Sequence, residues 1–179
     1  MRDSDALLIP AIAPDGTLYP IEKLEAHQKA ILHLAVSVFV FCGEDLLIQK
    51  RALTKYHCGG MWANTCCTHP HWDEPLPDSA HRRLREEMGF DVALTATNVI
   101  EYAADVTNGL REVERVHVYV AHVNREDIGI DLNRAEVSDF AWTNVAYLKD
   151  KARTQSELYA PWFRIYLDRW DELGLTPKA

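Results

Sequence analysis

The period of the hydrophobic positions changes several times along the chain, and each change marks an element. LLIPAIAPDGTLYP places two short apolar runs around Pro14-Asp15-Gly16, a turn-forming tripeptide, and predicts two strands. IEKLEAHQKA follows with a helical pattern. HLAVSVFVF is an unbroken apolar run, as expected of a strand covered on both faces; after a Gly43-Glu44-Asp45 turn, LLIQKR predicts its antiparallel partner. Over residues 78–88 the sequence predicts a helix, with Asp78 as N-cap, Ala80, Leu84 and Met88 at i, i+4 and i+8, and Gly89 as the stop. VERVHVYVAHV and VSDFAWTNV alternate and predict further strands. SELYAPWFRIYLDRWDEL reads as an aromatic-rich C-terminal helix whose first turns Pro161 should perturb. This order of elements predicts an α/β sandwich with a mixed β-sheet.

With 179 residues, 47% of them hydrophobic, the chain suits a single domain spanning 1–179 that buries a core without disulfides or an oligomeric partner, so a monomer is expected. A net charge of −8 argues against nucleic acid and anionic membranes as partners, and an anionic ligand must find a local cluster of Lys and Arg. No apolar run approaches the roughly 20 residues that cross a bilayer, and MRDSDALLIP lacks the pattern of a signal peptide, which points to the cytoplasm. The four cysteines show no C-x-x-C spacing and are expected as thiols, Cys42 as a small buried hydrophobe.

The chemistry-bearing residues fall into three groups. Along REVERVHVYV, alternation puts Glu112 and Glu114 on the face of Val116, Val118 and Val120. Two carboxylates in a partly buried row repel and lose hydration unless a cation holds both, so a metal site is the better reading than an exposed strand end. His27, His33 and His69 are candidate companions, and such a mixed N/O set suits Mg²⁺, Mn²⁺ or Zn²⁺. Residue type alone does not choose them over His57, His71, His81, His117 and His122. If Asn64 to His69 is extended, Cys67 and His69 point the same way and Cys66 the opposite way. Cys67 would then sit near the metal with a lowered pKa, fit to donate or accept a proton. A zinc site from Cys58, Cys66, Cys67 and His69 is the competing use of these residues, although its spacing matches no common module. The third group is cationic. Arg82/Glu86 and Arg83/Glu87 are i, i+4 pairs, and with Lys23, Arg51 and Lys55 they either remain surface ion pairs or form a metal-assisted cradle for a diphosphate.

Glu74, seven residues, then Arg82-Arg83-Leu84-Arg85-Glu86-Glu87-Met88-Gly89-Phe90 resembles the Nudix box, G-x5-E-x7-R-E-U-x-E-E-x-G-U, where U is bulky and apolar. Thr68 replaces the opening Gly and Arg83 replaces the Glu after the first Arg. That Glu belongs to the acidic cluster that holds catalytic Mg²⁺ in Nudix hydrolases. With this departure, the stretch from about Thr17 to Trp170 resembles the type I isopentenyl diphosphate isomerases, most specifically in W-x-N-x-x-C-x-H-P: Trp62, Asn64, Cys67, His69 and Pro70.

The resemblance implies a Nudix-type α/β/α sandwich and an isomerase that moves a C=C bond between isopentenyl and dimethylallyl diphosphate. It implies one divalent metal on His27, His33, His69, Glu112 and Glu114, and a second, Mg²⁺, bridging the substrate diphosphate near Glu87. It implies Cys67 and Glu114 as the proton-transfer pair, Tyr102 assisting Glu114, Trp162 against a transient carbocation, and Lys23, Arg51, Lys55 and Arg83 on the diphosphate. The segment before Lys23 and the loop Tyr56 to Met61 are the expected moving parts, since a carbocation needs shielding from water. A Nudix pyrophosphohydrolase or a non-catalytic diphosphate- or metal-binding module are the alternatives; Arg83 and Cys67 argue against both.

Overall fold

A computed structural model describes residues 7–175. The chain runs β1 (Leu8–Ile12), β2 (Leu18–Glu22), α1 (Lys23–Gln28), β3 (His33–Cys42), β4 (Asp45–Arg51), β5 (Trp62–Ala63) and β6 (Cys66–Thr68). It continues through α2 (Leu76–Met88), β7 (Thr95–Asp105), β8 (Arg111–His122), β9 (Val137–Asn144), α3 (Val145–Thr154) and α4 (Pro161–Asp168). Among the described residues the strands form one mixed sheet built on β3, which pairs antiparallel with β1, β4 and β6 and parallel with β8. A parallel pair needs a crossover, and α2 and β7 lie within it.

The apolar run of β3 is buried on both faces, as the sequence predicts, and its alternation sorts two cores. Ala35, Phe39 and Phe41 pack on one face with Leu148 of α3 and Trp162, Phe163 and Tyr166 of α4. Val36, Val38 and Val40 pack on the other with Ala80, Leu84 and Met88 of α2. Helices on both sides of one mixed sheet make the α/β/α sandwich.

Several local expectations are corrected. Helix α2 starts two residues early, with Pro75 at its N-cap and Pro77 in its first turn, so Asp78 lies inside the helix without a capping bond. Pro fits there because the first-turn N–H groups have no intrahelical acceptor. For the same reason Pro161 opens α4 rather than distorting it, and the C-terminal stretch splits into a 3-10 turn, α4 and a second 3-10 turn. The first helix is only Lys23–Gln28, since Ile21 and Glu22 complete β2. Cys42 ends β3 half-buried rather than in the core. Gly89 ends α2 at φ +76°, in the left-handed region, as its position predicts.

Candidate active site

Three strand registers assemble the site. The parallel β3–β8 pairing sets His33 opposite Glu114, β7 sets Tyr102 opposite Glu114, and β6 sets Cys67 opposite Ser37. Glu112 and Glu114 share one face, as alternation predicts, and both are buried. Tyr102 Oη donates to Glu114 at 2.7 Å and lies 3.0 Å from Glu112, tying the two carboxylates together.

His27, His33, His69 and Glu114 bring their ligand atoms within 4.8 Å of one another, all four buried. His27 Nδ1 lies 2.6 Å from the Lys23 carbonyl oxygen and His33 Nδ1 lies 2.7 Å from that of Ile31. A carbonyl only accepts, so both Nδ1 atoms carry the proton, and in a neutral ring Nε2 offers its lone pair. His33 Nε2 and His69 Nε2 face each other at 3.1 Å, His69 Nε2 lies 2.9 Å from Glu114, and His27 Nε2 has no hydrogen-bond partner among the described residues. Burial lowers the pKa of His27 to about 4 and that of His69 well below the usual range, so these imidazoles are neutral at pH 7. Converging lone pairs beside a carboxylate, with an orphaned buried nitrogen, fit a divalent cation. Glu112 belongs to an adjoining group with His27 and His57 rather than to this one.

A cavity of about 820 Å³ opens on this cluster and is lined by Cys67, His69, Tyr102, Glu112, Glu114 and Trp162, and also by Lys23, Arg51, Lys55 and Arg83. The proton-transfer candidates and the cation candidates therefore share one space. Arg51 lies over the Trp162 ring, 5.1 Å from its centroid, joining the charged end to the aromatic wall. Burial, then the charges of Lys55, Arg83 and Arg51, pull the Lys23 pKa down to about 8.

The thiol of Cys67 donates to Asn64 Oδ1 at 3.0 Å and lies 3.2 Å from Ser37 Oγ, which in turn is 2.9 Å from Tyr166 Oη. Burial pushes the thiol up to about 12, outweighing its hydrogen bonds, so the protein environment by itself raises this pKa where the sequence reading lowers it. Cys66 points to the opposite core, against Val38, Leu84 and Met88. This opposition removes the alternative zinc site, and among the described residues no cysteine joins a metal-holding group.

A NUDIX domain model matches residues 31–163. An isopentenyl-diphosphate Delta-isomerase of Cereibacter sphaeroides is 47% identical over 161 residues, 89% of this chain and 90% of that protein. That of Dinoroseobacter shibae is 48% identical over 166 residues, 92% of this chain and 93% of its own. The chain belongs to the isopentenyl-diphosphate Delta-isomerase family of NUDIX proteins. A solved structure from Deinococcus radiodurans shares the fold at TM-score 0.71 and 14% identity, covering 90% of this chain and 98% of that one. A MutT protein from Methanosarcina mazei does so at 0.60 and 16%, covering 78% and 93%.

Within this isomerase-family fold, the modified box is held by charge pairs. Arg82 binds Glu74 and Glu86, while Arg83 binds Glu87 at 2.7 Å and also pairs with Glu86 and Glu136. Glu87 is buried behind Arg83 and accepts from Gln49 Nε2 at 2.7 Å, so it does not line the cavity. Glu136 does line it, and its carboxylate lies between Lys55 and Arg83. Sequence reasoning missed Glu136, Ser37, Tyr166 and the participation of His57. Glu136 and His57 lie in loops, where no periodicity marks them, and Ser37 is the lone hydroxyl in the apolar run of β3. Of the expected moving parts, residues 1–6 lie outside the described residues, β1 and β2 are paired into the sheet, and Tyr56 and His57 line the cavity.

Proposed function

We propose that the protein interconverts isopentenyl and dimethylallyl diphosphate in isoprenoid biosynthesis, with residues 1–179 acting as one cytoplasmic, monomeric catalytic domain. The observation that carries this reading is the shared cavity, in which the Cys67 thiol and the Glu114 carboxylate lie beyond a cluster of four cations. Lys23, Arg51, Lys55 and Arg83 supply charge for a diphosphate, with Mg²⁺ accompanying the substrate; the cationic pair Lys55 and Arg83 releases Glu136 as the substrate enters.

Burial favours the protonated thiol of Cys67, while the imidazoles of His33 and His69 facing Glu114 hold its carboxyl well below the usual carboxylate range against burial. Cys67 is thus the acid and Glu114 the base for isopentenyl diphosphate. The alkene π pair takes the proton from Sγ, leaving a thiolate and a tertiary cation beside Trp162. Glu114 removes a proton from the neighbouring carbon, and that C–H pair becomes the new double bond. Tyr102 Oη holds Glu114 in place, and exchange of one proton with solvent resets acid and base. His27, His33, His69, Glu112 and Glu114 would hold a divalent ion, Mn²⁺, Mg²⁺ or Zn²⁺, which when bound supplies positive charge that keeps Glu114 ionised.

A hydrolase reading fits less well, because a guanidinium, Arg83, stands among Glu86, Glu87 and Glu136 and pairs with all three where a hydrolase has a further carboxylate. Incubation with isopentenyl diphosphate tests the choice. The expected product is an acid-labile allylic diphosphate without phosphate release; release of phosphate and no allylic product would reverse the assignment.

A further inference from the structure

The cation end of the cavity holds donors that the protein itself leaves unpaired. Tyr56, in the loop between β4 and β5, lines the cavity with Lys23, Arg51 and Lys55, and its Oη is buried with no hydrogen-bond partner among the described residues. Arg51 Nε is in the same state. A buried hydroxyl loses its hydration, and without an acceptor nothing offsets that loss. Burial and then the Glu112 carboxylate raise the Tyr56 pKa, so the phenol keeps its proton and remains a donor.

The loop that carries Tyr56 is pinned along its backbone. The Tyr56 carbonyl oxygen accepts from Asn108 Nδ2, Cys58 N donates to Thr107 Oγ1 at 2.9 Å, and Arg51 Nη2 donates to the His57 carbonyl oxygen at 3.2 Å. Gly60 N donates to the Arg51 carbonyl oxygen at 3.0 Å. Cys58 stands at φ +51°, in the left-handed region, and a Cβ on Gly59 would come within 2.7 Å of the Leu53 carbonyl oxygen, so this backbone has little room to adjust. Within that frame the Tyr56 ring packs edge-on against His57, 4.4 Å between centroids, and Lys23 Nζ lies over its face, 5.4 Å from the centroid. The phenol is thus held at the cavity wall, and the acceptor it lacks is one that a ligand can bring.

We propose that Tyr56 is a further substrate-binding residue, its Oη–H donating to an oxygen of the diphosphate beside Arg51 Nε. This rests on the reading that Lys23, Arg51, Lys55 and Arg83 hold a diphosphate. A five-carbon alkenyl diphosphate carries its acceptors on the diphosphate alone, so a donor satisfied by the substrate reads that end and not the double bond. Lys23 covers the phenol until then. As its ammonium turns from the Tyr56 ring to a phosphate oxygen, it exchanges a weak cation–π contact for an ion pair and opens the hydroxyl to the same group.

The test uses the full chain with Mg²⁺, titrating inorganic pyrophosphate by calorimetry, with steady-state isomerisation and thermal melting of the ligand-free protein alongside. Tyr56→Phe keeps the ring against His57 and beneath Lys23 and removes only the hydroxyl. It is expected to bind pyrophosphate at least about tenfold more weakly and to raise KM for isopentenyl diphosphate by a similar factor, the scale of a hydrogen bond to a charged group, with kcat little changed. Its Tm is expected to stay the same or rise, because an unpaired hydroxyl leaves no partner behind. Unchanged pyrophosphate affinity and KM would overturn the proposal. So would a Tm lowered by several degrees, which would show that the hydroxyl has a partner inside the protein. Arg51→Ala and Lys55→Ala separate this from the underlying reading. If they bind pyrophosphate more weakly while Tyr56→Phe does not, Tyr56 alone is removed; if both bind it as the wild type does, the diphosphate cradle itself fails.

Discussion

Neighbouring cysteines on opposite faces of β6 should separate activity from stability. Cys67→Ala removes the thiol that lines the cavity, while Cys66→Ala removes one sulfur atom from the core formed with α2. Loss of a general acid lowers kcat by roughly 10²- to 10⁴-fold, which is about 2.7 to 5.5 kcal/mol of barrier. Cys67→Ser should be nearly as impaired. Its hydroxyl retains partners in Asn64 and Ser37, but it is a much weaker acid than the thiol. Cys66 is 1% exposed, so its truncation leaves a small void worth about 1 kcal/mol and lowers Tm by about 2–4 °C, with kcat little changed. Steady-state isomerisation with thermal melting of the three variants reads both effects. An active Cys67→Ala beside an inactive Cys66→Ala would reverse the facing of β6, and full activity in all three would remove the thiol from the mechanism.

Chelation should abolish isomerisation, and His69→Ala, Glu112→Gln and Glu114→Gln should each lower metal content by elemental analysis; full occupancy in both Glu variants would refute the shared centre. Arg51→Ala and Lys55→Ala should raise KM roughly 10- to 100-fold with a smaller change in kcat, the scale of a charge-assisted contact; unchanged KM in both moves the diphosphate elsewhere. Because burial depresses Lys23 to about 8, its charge is present below that pH and lost above it. KM should therefore climb as pH rises through 8, and Lys23→Arg should flatten that limb; an identical profile in the variant assigns it to another group. Gly89→Ala should lower Tm by several degrees, since φ is +76° and a Cβ would run into the Asp131 backbone carbonyl; an unchanged melting curve would show that α2 ends differently.

The parts legible in the sequence are those with a period. The β3 run, the alternation of β8 and the i, i+4 stripe of α2 each fixed a face, and from β8 alone Glu112 and Glu114 follow as a buried pair. β7 went unread because only its C-terminal half alternates in burial, while much of its first half is exposed. Helix α3 was hidden behind its own cap, since the run VSDFAWTNV ends at Val145, just past Asn144, whose side chain accepts from Ala146 and Tyr147. The meeting of His27, His33 and His69 depends on a helix end, a strand start and a three-residue strand, which no local pattern relates; motif resemblance supplied it. In the protein alone the thiol pKa is raised, because the cost of burying a thiolate outweighs the hydrogen bonds with Ser37 and Asn64, a balance that no local sequence pattern displays.

Strand β6 is only three residues long and pairs Val36 with Thr68, Ser37 with Cys67 and Val38 with Cys66. A slip of one residue along β3 would exchange its two faces. The doubled cysteine would disguise the error, since Cys66 would then present a thiol to the cavity in place of Cys67. His69 would not survive it, because the same slip carries its imidazole to the other side of the sheet. A bound ion would therefore discriminate between two registers that a thiol probe could confuse, acting as a proofreading step in the folding of this three-residue strand on the cavity wall.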